Sequence, residues 1–158
     1  MHDSLTLSSA VRTLNSINGV SVVNVAKTFQ EEKVLMLPWR DSLGELRKDI
    51  VNYAAGLTAS SANLKEWTLM IHAPLNGVIK GIPDNGFSGA ELDSHGFGQV
   101  LVGHYHNHRN IPGTRVWSIG APTHHTWSDV DTVCPVFTSE PPDEPLPLVI
   151  RRRRNHNT

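Results

Sequence analysis

Short apolar runs alternate along this chain with polar, glycine-rich stretches, and the spacing of the apolar positions predicts which runs are strands. β-Branched residues over 20–25 and an apolar run over 34–37 predict two strands, joined as a hairpin by a polar connection over 30–33. Pro38 then ends the second strand. Further apolar runs predict strands over 67–71, 115–119 and 133–137, and one that ends at Gly103.

Two other stretches have the apolar spacing of amphipathic helices. One predicted helix runs from a cap at Ser8 or Ser9 to about Asn15. The other runs over 43–55 with one apolar face, and Gly56 is expected to end it. Helices that alternate with strands in this way predict a layered α/β domain.

Length and composition fit a single globular domain. The chain has 158 residues, of which 39% are hydrophobic and 18% charged. Its net charge of −1, with neutral histidines, gives no general basic field that would attract nucleic acid. From Ser139 the composition becomes proline-rich and acidic, and an arginine run follows. We therefore expect a domain over 1–138 and a disordered tail over 139–158.

The sequence also predicts where the protein resides. Cys134 is the one cysteine, so no disulfide can form within the chain, which favours a reducing compartment. No apolar run approaches the ~20 residues that span a bilayer. The N-terminal residues lack the basic-then-apolar pattern of a signal peptide. We expect a cytoplasmic protein without membrane contact.

The candidate chemistry lies in histidines at strand ends. The chain has 9 histidines, and His104 and His106 directly follow an apolar strand. Alternate residues of extended chain point the same way, so these two imidazoles can reach one metal ion. His72 stands at the carboxyl end of another predicted strand, where open α/β sheets usually place their sites. The alternative is a solvated loop that is merely rich in histidine.

These residues resemble motifs of a known family. Gly103-His104-Tyr105-His106 resembles the Gly-His-x-His motif of the calcineurin-like metallophosphoesterases, and His72 matches the isolated histidine that precedes it. Positions 116–122 resemble the strand and turn that follow the motif, particularly in the DNA-repair exonuclease and phage branches. Met1-His2-Asp3 resembles the end of the family's Gly-Asn-His-Asp/Glu motif, with Met1 in the place of the asparagine.

The resemblance implies an αββα sandwich whose two metal ions clamp a phosphate and activate a water. Mn²⁺ is the first expectation for these ions, with Fe and Zn²⁺ as alternatives. His72 and His104 would bind one ion, and His106 would bind the other. His2 would protonate the leaving oxygen or stabilise the phosphate, and Asp3 would orient His2. The implied substrate is a phosphoester, with the phosphodiesters of DNA as one candidate.

The sequence departs from the family pattern near its start. The family has an Asp-x-His and a Gly-Asp-x-x-Asp motif, which carry most ligands of the first ion, and neither occurs ahead of His72. We therefore expect an α/β fold that is a partial αββα metallophosphoesterase sandwich, lacking its first strands and about half of its metal ligands. Unpaired sheet edges are the structural consequence.

Three functions follow from this pattern. The first is a truncated metallophosphoesterase that hydrolyses a phosphodiester by two-metal catalysis. Because about half of the metal ligands are missing, we expect this chain to be inactive alone. The second is a non-catalytic remnant or split-gene fragment, which binds a metal or an upstream-encoded partner chain that supplies the missing strands. The third is a plain histidine-rich α/β binding module.

Overall fold

A computed structural model of the chain describes residues 10–121, which form one mixed six-stranded sheet with two α-helices and therefore an α/β fold. The strands are β1 (Lys27–Phe29), β2 (Val34–Leu37), β3 (Thr68–His72), β4 (Gln99–Gly103), β5 (His108–Asn110) and β6 (Val116–Ile119). The α-helices are α1 (Leu43–Ala59) and α2 (Gly89–Asp93), and short 3-10 helices cover Ala10–Ser16 and Leu64–Glu66. No helix in this part of the chain is both long and apolar enough to cross a membrane.

The four central strands run parallel, and each edge strand runs antiparallel to its neighbour. The order across the sheet is β1-β2-β3-β4-β6-β5. The connections β2–α1–β3 and β3–α2–β4 step the same way across the sheet. Because such crossovers are right-handed, α1 and α2 lie on the same face. The predicted strands at β2, β3, β4 and β6 are confirmed.

The face beneath the two helices, which we call the covered face, holds the core. Every second residue of the central strands points to it, and each of these side chains is at most 5% exposed. Two rows cross the sheet in register: Leu35, Leu69, Val100 and Val116, then Leu37, Ile71, Val102 and Ser118. Helix residues such as Ile50 and Leu92 belong to the same hydrophobic cluster. Burial of these apolar side chains drives the packing of helices onto sheet.

The opposite face, which we call the open face, carries no α-helix of residues 10–121. Its central row, also in register, consists of Met36, Met70, Leu101 and Trp117. These four side chains are half-buried, in contrast to the fully buried rows of the covered face.

Helix α1 is longer than its sequence pattern predicts. Ser42 caps its start by accepting a hydrogen bond from the Gly44 amide at 3.2 Å. The expected end at Gly56 is wrong, because the helix continues to Ala59. A glycine inside a helix costs only about 0.5–1 kcal/mol. Burial of Leu57, which is 7% exposed, outweighs that cost.

The strand predicted over 20–25 is also wrong. Val20 and Val25 are 41% and 65% exposed, and the first strand is β1. The outer edge of β2 can pair with one strand, and the turn over 30–33 places Lys27–Phe29 directly opposite it. The β-branched residues of 20–25 therefore have no neighbouring strand within the described part of the chain.

The edge strands of the sheet are short. Each edge is a three-residue antiparallel strand, β1 on one side and β5 on the other. Very short edge strands offer few unpaired backbone groups to another chain. Both ends of this sheet are therefore protected against strand-to-strand association.

Candidate metal centre at the carboxyl edge of the sheet

The carboxyl ends of the parallel strands meet at one edge of the sheet, which is the usual place for a site in an open α/β fold. Trp39 follows β2, His72 ends β3, and His104 follows β4. In the register of the sheet, His72 pairs with Gly103, the last residue of β4. Neighbouring strands therefore deliver His72 and His104 to the same place.

Three aromatic rings form the centre of this edge, and we call Trp39, His72 and His104 the histidine–tryptophan cluster. The ring centroids of His72 and His104 lie 5.5 Å apart, with the ring planes at 87°. The Trp39 ring lies 5.7 Å from His104, nearly parallel to it, and 5.8 Å from His72, edge to face. These contacts restrict the orientations of both imidazoles.

Gly103 makes room for the close approach of the two histidines. A Cβ atom at this position would lie 3.2 Å from Nδ1 of His72 and 3.8 Å from Cδ1 of Ile119. The first of these distances is tighter than ordinary van der Waals contact, so a larger residue would press on the imidazole. The glycine of the sequence motif therefore serves the position of His72 as well as the turn of the chain.

The backbone of His104 is strained. Its φ angle is 132°, in a region that residues with a side chain rarely adopt. Such a conformation costs roughly 1–3 kcal/mol and persists only where the surrounding structure enforces it. Strain of this kind concentrates at functional sites, and here it turns the chain at the end of β4.

The rest of the Gly103–His106 motif lies against the end of β6. The carbonyl oxygen of His106 accepts a hydrogen bond from the Ala121 amide at 3.1 Å. Gly120 permits this contact, because its φ is 72° and a Cβ there would lie 2.8 Å from the backbone nitrogen of His108. The Tyr105 ring lies 4.9 Å from that of His104. The loops after β4 and β6 thus brace each other beside the cluster.

The two imidazoles are close enough to share one metal ion. A nitrogen-bound ion lies about 3.2 Å from the centroid of each ring, so rings that share it are at most about 6.4 Å apart. The observed 5.5 Å between His72 and His104 is within that limit. No group of three or more His, Cys, Asp or Glu side chains that could hold a metal ion occurs in residues 10–121, so His106 does not join the pair there.

Within residues 10–121 the two imidazoles supply too few donors for a two-ion site. Imidazole ligands suit Zn²⁺, Cu, Ni and Fe, whereas Mn²⁺ prefers sites with carboxylate oxygens. The one Asp-x-His spacing in the described chain, Asp93-Ser94-His95, is at the opposite edge of the sheet. There Asp93 accepts a hydrogen bond from Nε of Arg115 at 2.8 Å, just ahead of β6. That carboxylate cannot complete the centre.

The residues predicted to be catalytic, His2 and Asp3, lie outside the described residues, as do the predicted strand over 133–137 and the tail over 139–158. Trp39 is the member of the cluster that the sequence analysis missed. The signal that could have found it is its place directly after Pro38, at the end of the strand beside the one that carries His72.

Comparison with known proteins adds no relative to this description. No family model matches the chain, and neither curated proteins nor solved structures give a match.

Proposed function

We propose that this chain is a metal-dependent phosphoester hydrolase of the metallophosphoesterase type, with phosphodiesters such as DNA as its substrate class. The observation that carries the proposal is the 5.5 Å separation of the His72 and His104 rings at the carboxyl edge of the sheet. An ion bound there would polarise a phosphate oxygen and acidify a bound water. The strained backbone of His104 supports the proposal, because such strain concentrates at functional sites.

The chain's own residues have distinct roles in this proposal. His72 and His104 hold one ion, Trp39 orients both rings, and Gly103 leaves space for the His72 ring. The proposed roles taken from the resemblance are a second ion at His106, proton transfer by His2, and orientation of His2 by Asp3. Mn²⁺ is the first candidate metal, with Fe and Zn²⁺ as alternatives. Cytoplasmic location stays a prediction.

The proposed hydrolase needs donors beyond the histidine pair. The pair is short of a complete two-ion site, so carboxylates must come from residues outside 10–121 or from another chain, such as an upstream-encoded partner. The layering agrees with this proposal, since a sheet with helices on one face is what half of an αββα sandwich contains. We therefore propose the partial sandwich as the fold family.

Hydrolysis of bis-p-nitrophenyl phosphate tests the proposal. Turnover by the purified chain should require Mn²⁺ or Zn²⁺, stop with a chelator, and be lost in His72→Ala and His104→Ala. His95→Gln is the matched control, because His95 is half-buried at a distance from the cluster, and it should keep full activity. Turnover that survives both alanine substitutions contradicts the proposed centre. Metal binding without turnover contradicts hydrolysis by this chain alone and favours the second candidate function.

The second candidate function is non-catalytic metal binding, by a fragment that works with a partner chain. The observation that favours it is the donor set, in which two imidazoles come together without a carboxylate in the described chain. It predicts that Zn²⁺ binds the wild type, that His104→Ala removes the binding, and that neither protein hydrolyses the substrate.

A further inference from the structure

The open face of the sheet has the composition of an interface. Its centre is the apolar row Met36, Met70, Leu101 and Trp117. Its margins carry both polar and apolar residues. Lys27 and Asn110 flank the row. Phe29, Val34, Thr68 and Gln99 lie at the amino ends, and His72, Ile119 and His108 lie at the carboxyl ends. An apolar centre without charged side chains is typical of the core of a protein–protein contact.

Because the central strands are parallel, we expect another surface to pack on the open face. Parallel sheets occur almost only with both faces covered, because their strands bury apolar side chains on both sides. Here α1 and α2 cover one face, and the apolar row of the other face stays half-buried. A contiguous apolar patch of this kind marks a contact with another surface.

Charge indicates the occupant. Lys27 is the one charged residue among the strand positions of the open face, and it stands at the β1 margin. An acidic or basic peptide, or a nucleic acid, would find no charges to pair at the centre. The same face of another copy is complementary, because apolar rows meet and both Lys27 side chains stay at the rim. With a net charge of −1 per chain, two copies repel each other little.

We infer that the open face is the interface of a homodimer, in which two copies pack sheet against sheet. Aligned sheets pack about 10 Å apart with strand directions within about 30°. The dimer has the layers helix, sheet, sheet and helix, and each copy supplies half of them. This inference rests on the sheet alone and does not depend on the proposed metal centre.

The area of the face sets the strength of the dimer. Six strands about 4.8 Å apart and about four residues long give a face of roughly 24 Å by 14 Å. That flat area, roughly 340 Å², is less than half of the ~800 Å² that each partner buries in a standard interface. The dimer is therefore weak and concentration-dependent unless further surface joins it.

Residues 14–25, which we call the arm, supply such surface. The arm precedes β1 and so leads into the margin of the open face. Its exposed apolar side chains, 41–65% accessible, are Leu14, Ile17, Val20 and Val25. A second copy seated on the open face lies beside this margin, and burial of the arm against it brings the interface toward standard size.

Sedimentation velocity over a concentration series, from about 1 to 200 μM, tests the inference. We expect a reversible monomer–dimer equilibrium that a chelator does not change. Leu101→Gln places a polar group at the centre of the interface and should raise the dissociation constant at least about tenfold. The matched control is Val51→Gln, whose residue is 54% exposed on α1 and belongs to neither face of the sheet. It should dimerise as the wild type does.

Methionine methyl resonances test the interface without any substitution. Two of the chain's three methionines, Met36 and Met70, lie in the central row. We expect a soluble paramagnetic reagent to broaden both signals in dilute samples and to spare them in concentrated ones. A chain that stays monomeric throughout overturns the inference, whether its methyls are accessible or are shielded by its own residues. A dimer whose Met36 and Met70 methyls stay accessible overturns it too, because the contact is then elsewhere.

Discussion

Substitution of Gly103 by alanine tests the histidine–tryptophan cluster without removing a ligand. The new Cβ would lie 3.2 Å from Nδ1 of His72, where ordinary contact begins at 3.4 Å, so the imidazole must retreat by a few tenths of an ångström. Metal sites tolerate displacements of only about 0.5 Å. We therefore expect Zn²⁺ affinity to fall about tenfold, at the lower end of the range for perturbed ligand positioning, which corresponds to about 1.4 kcal/mol.

The stability of the same variant should change little. Alanine in a strand stabilises the fold by about 0.5–1 kcal/mol relative to glycine, because the unfolded chain has less conformational entropy to lose. Crowding of His72 offsets that gain. Titration calorimetry with Zn²⁺ and urea unfolding measure the two quantities. Gly56→Ala is the control, because a Cβ there meets nothing within 4 Å. The Zn²⁺ affinity should stay constant, and alanine in place of glycine inside α1 should raise the free energy of unfolding by about 0.5–1 kcal/mol. A folded Gly103→Ala protein that binds Zn²⁺ as tightly as the wild type refutes the reasoning.

Three further substitutions test the fold. Leu69→Ala removes a side chain that is 0% exposed on the covered face, and should cost about 2–5 kcal/mol in urea unfolding; a cost below about 1 kcal/mol contradicts the assigned core. Gly86→Ala would place a Cβ 2.3 Å from the Pro74 carbonyl oxygen, so we expect a thermal destabilisation of about 2 kcal/mol or more, and an unchanged melting temperature argues against this loop packing. The hydrogen bond from Arg115 holds the pKa of the Asp93 carboxyl below its usual value. The ionised carboxylate therefore stabilises the fold above the unfolded-state pKa of about 3.9, and this contribution is lost as pH falls through the folded-state pKa. The free energy of unfolding of Asp93→Asn should therefore fall less steeply with decreasing pH than that of the wild type. The same pH dependence in both proteins contradicts this contribution.

The strands of the central sheet could be predicted because their apolar residues are contiguous. Each strand of a parallel sheet carries apolar side chains on both faces, as Leu69 and Met70 of β3 do, so the run is visible in the sequence. The polar edge strand β5, His108-Arg109-Asn110, has no such signal. It exists because the chain reverses after β4 and pairs with β6, which is a tertiary cause.

One strand prediction and one helix-end prediction are wrong for the same reason. Both follow the local preference of the residues, whereas tertiary packing decides the structure at these places. The valines at 20–25 favour a strand, but β1 already takes the edge of β2. Gly56 is a common helix end, but Leu57 beyond it is buried, and the helix continues to make that contact.

The candidate centre could be predicted in part. His72 and His104 each follow a buried strand, and parallel strands bring their carboxyl ends together, so their meeting follows from the sequence pattern once the sheet is parallel. The same reasoning places Trp39 at this edge, directly after Pro38, but it does not give the residue a role, because a tryptophan after a strand has many uses. A third ligand could not be identified either, because spacing along the chain does not determine where the His106 side chain points after the strained residue His104.

The central claim is that His72 and His104 share one metal ion, and titration of Zn²⁺ into four proteins tests it most directly. The proteins are the wild type, His72→Ala, His104→Ala and the double variant. If the two imidazoles share an ion, each single substitution should weaken binding by at least about tenfold, and the double variant should lose much less than the two losses combined. Wild-type affinity in either single variant, or independent losses that add in full, contradicts the claim.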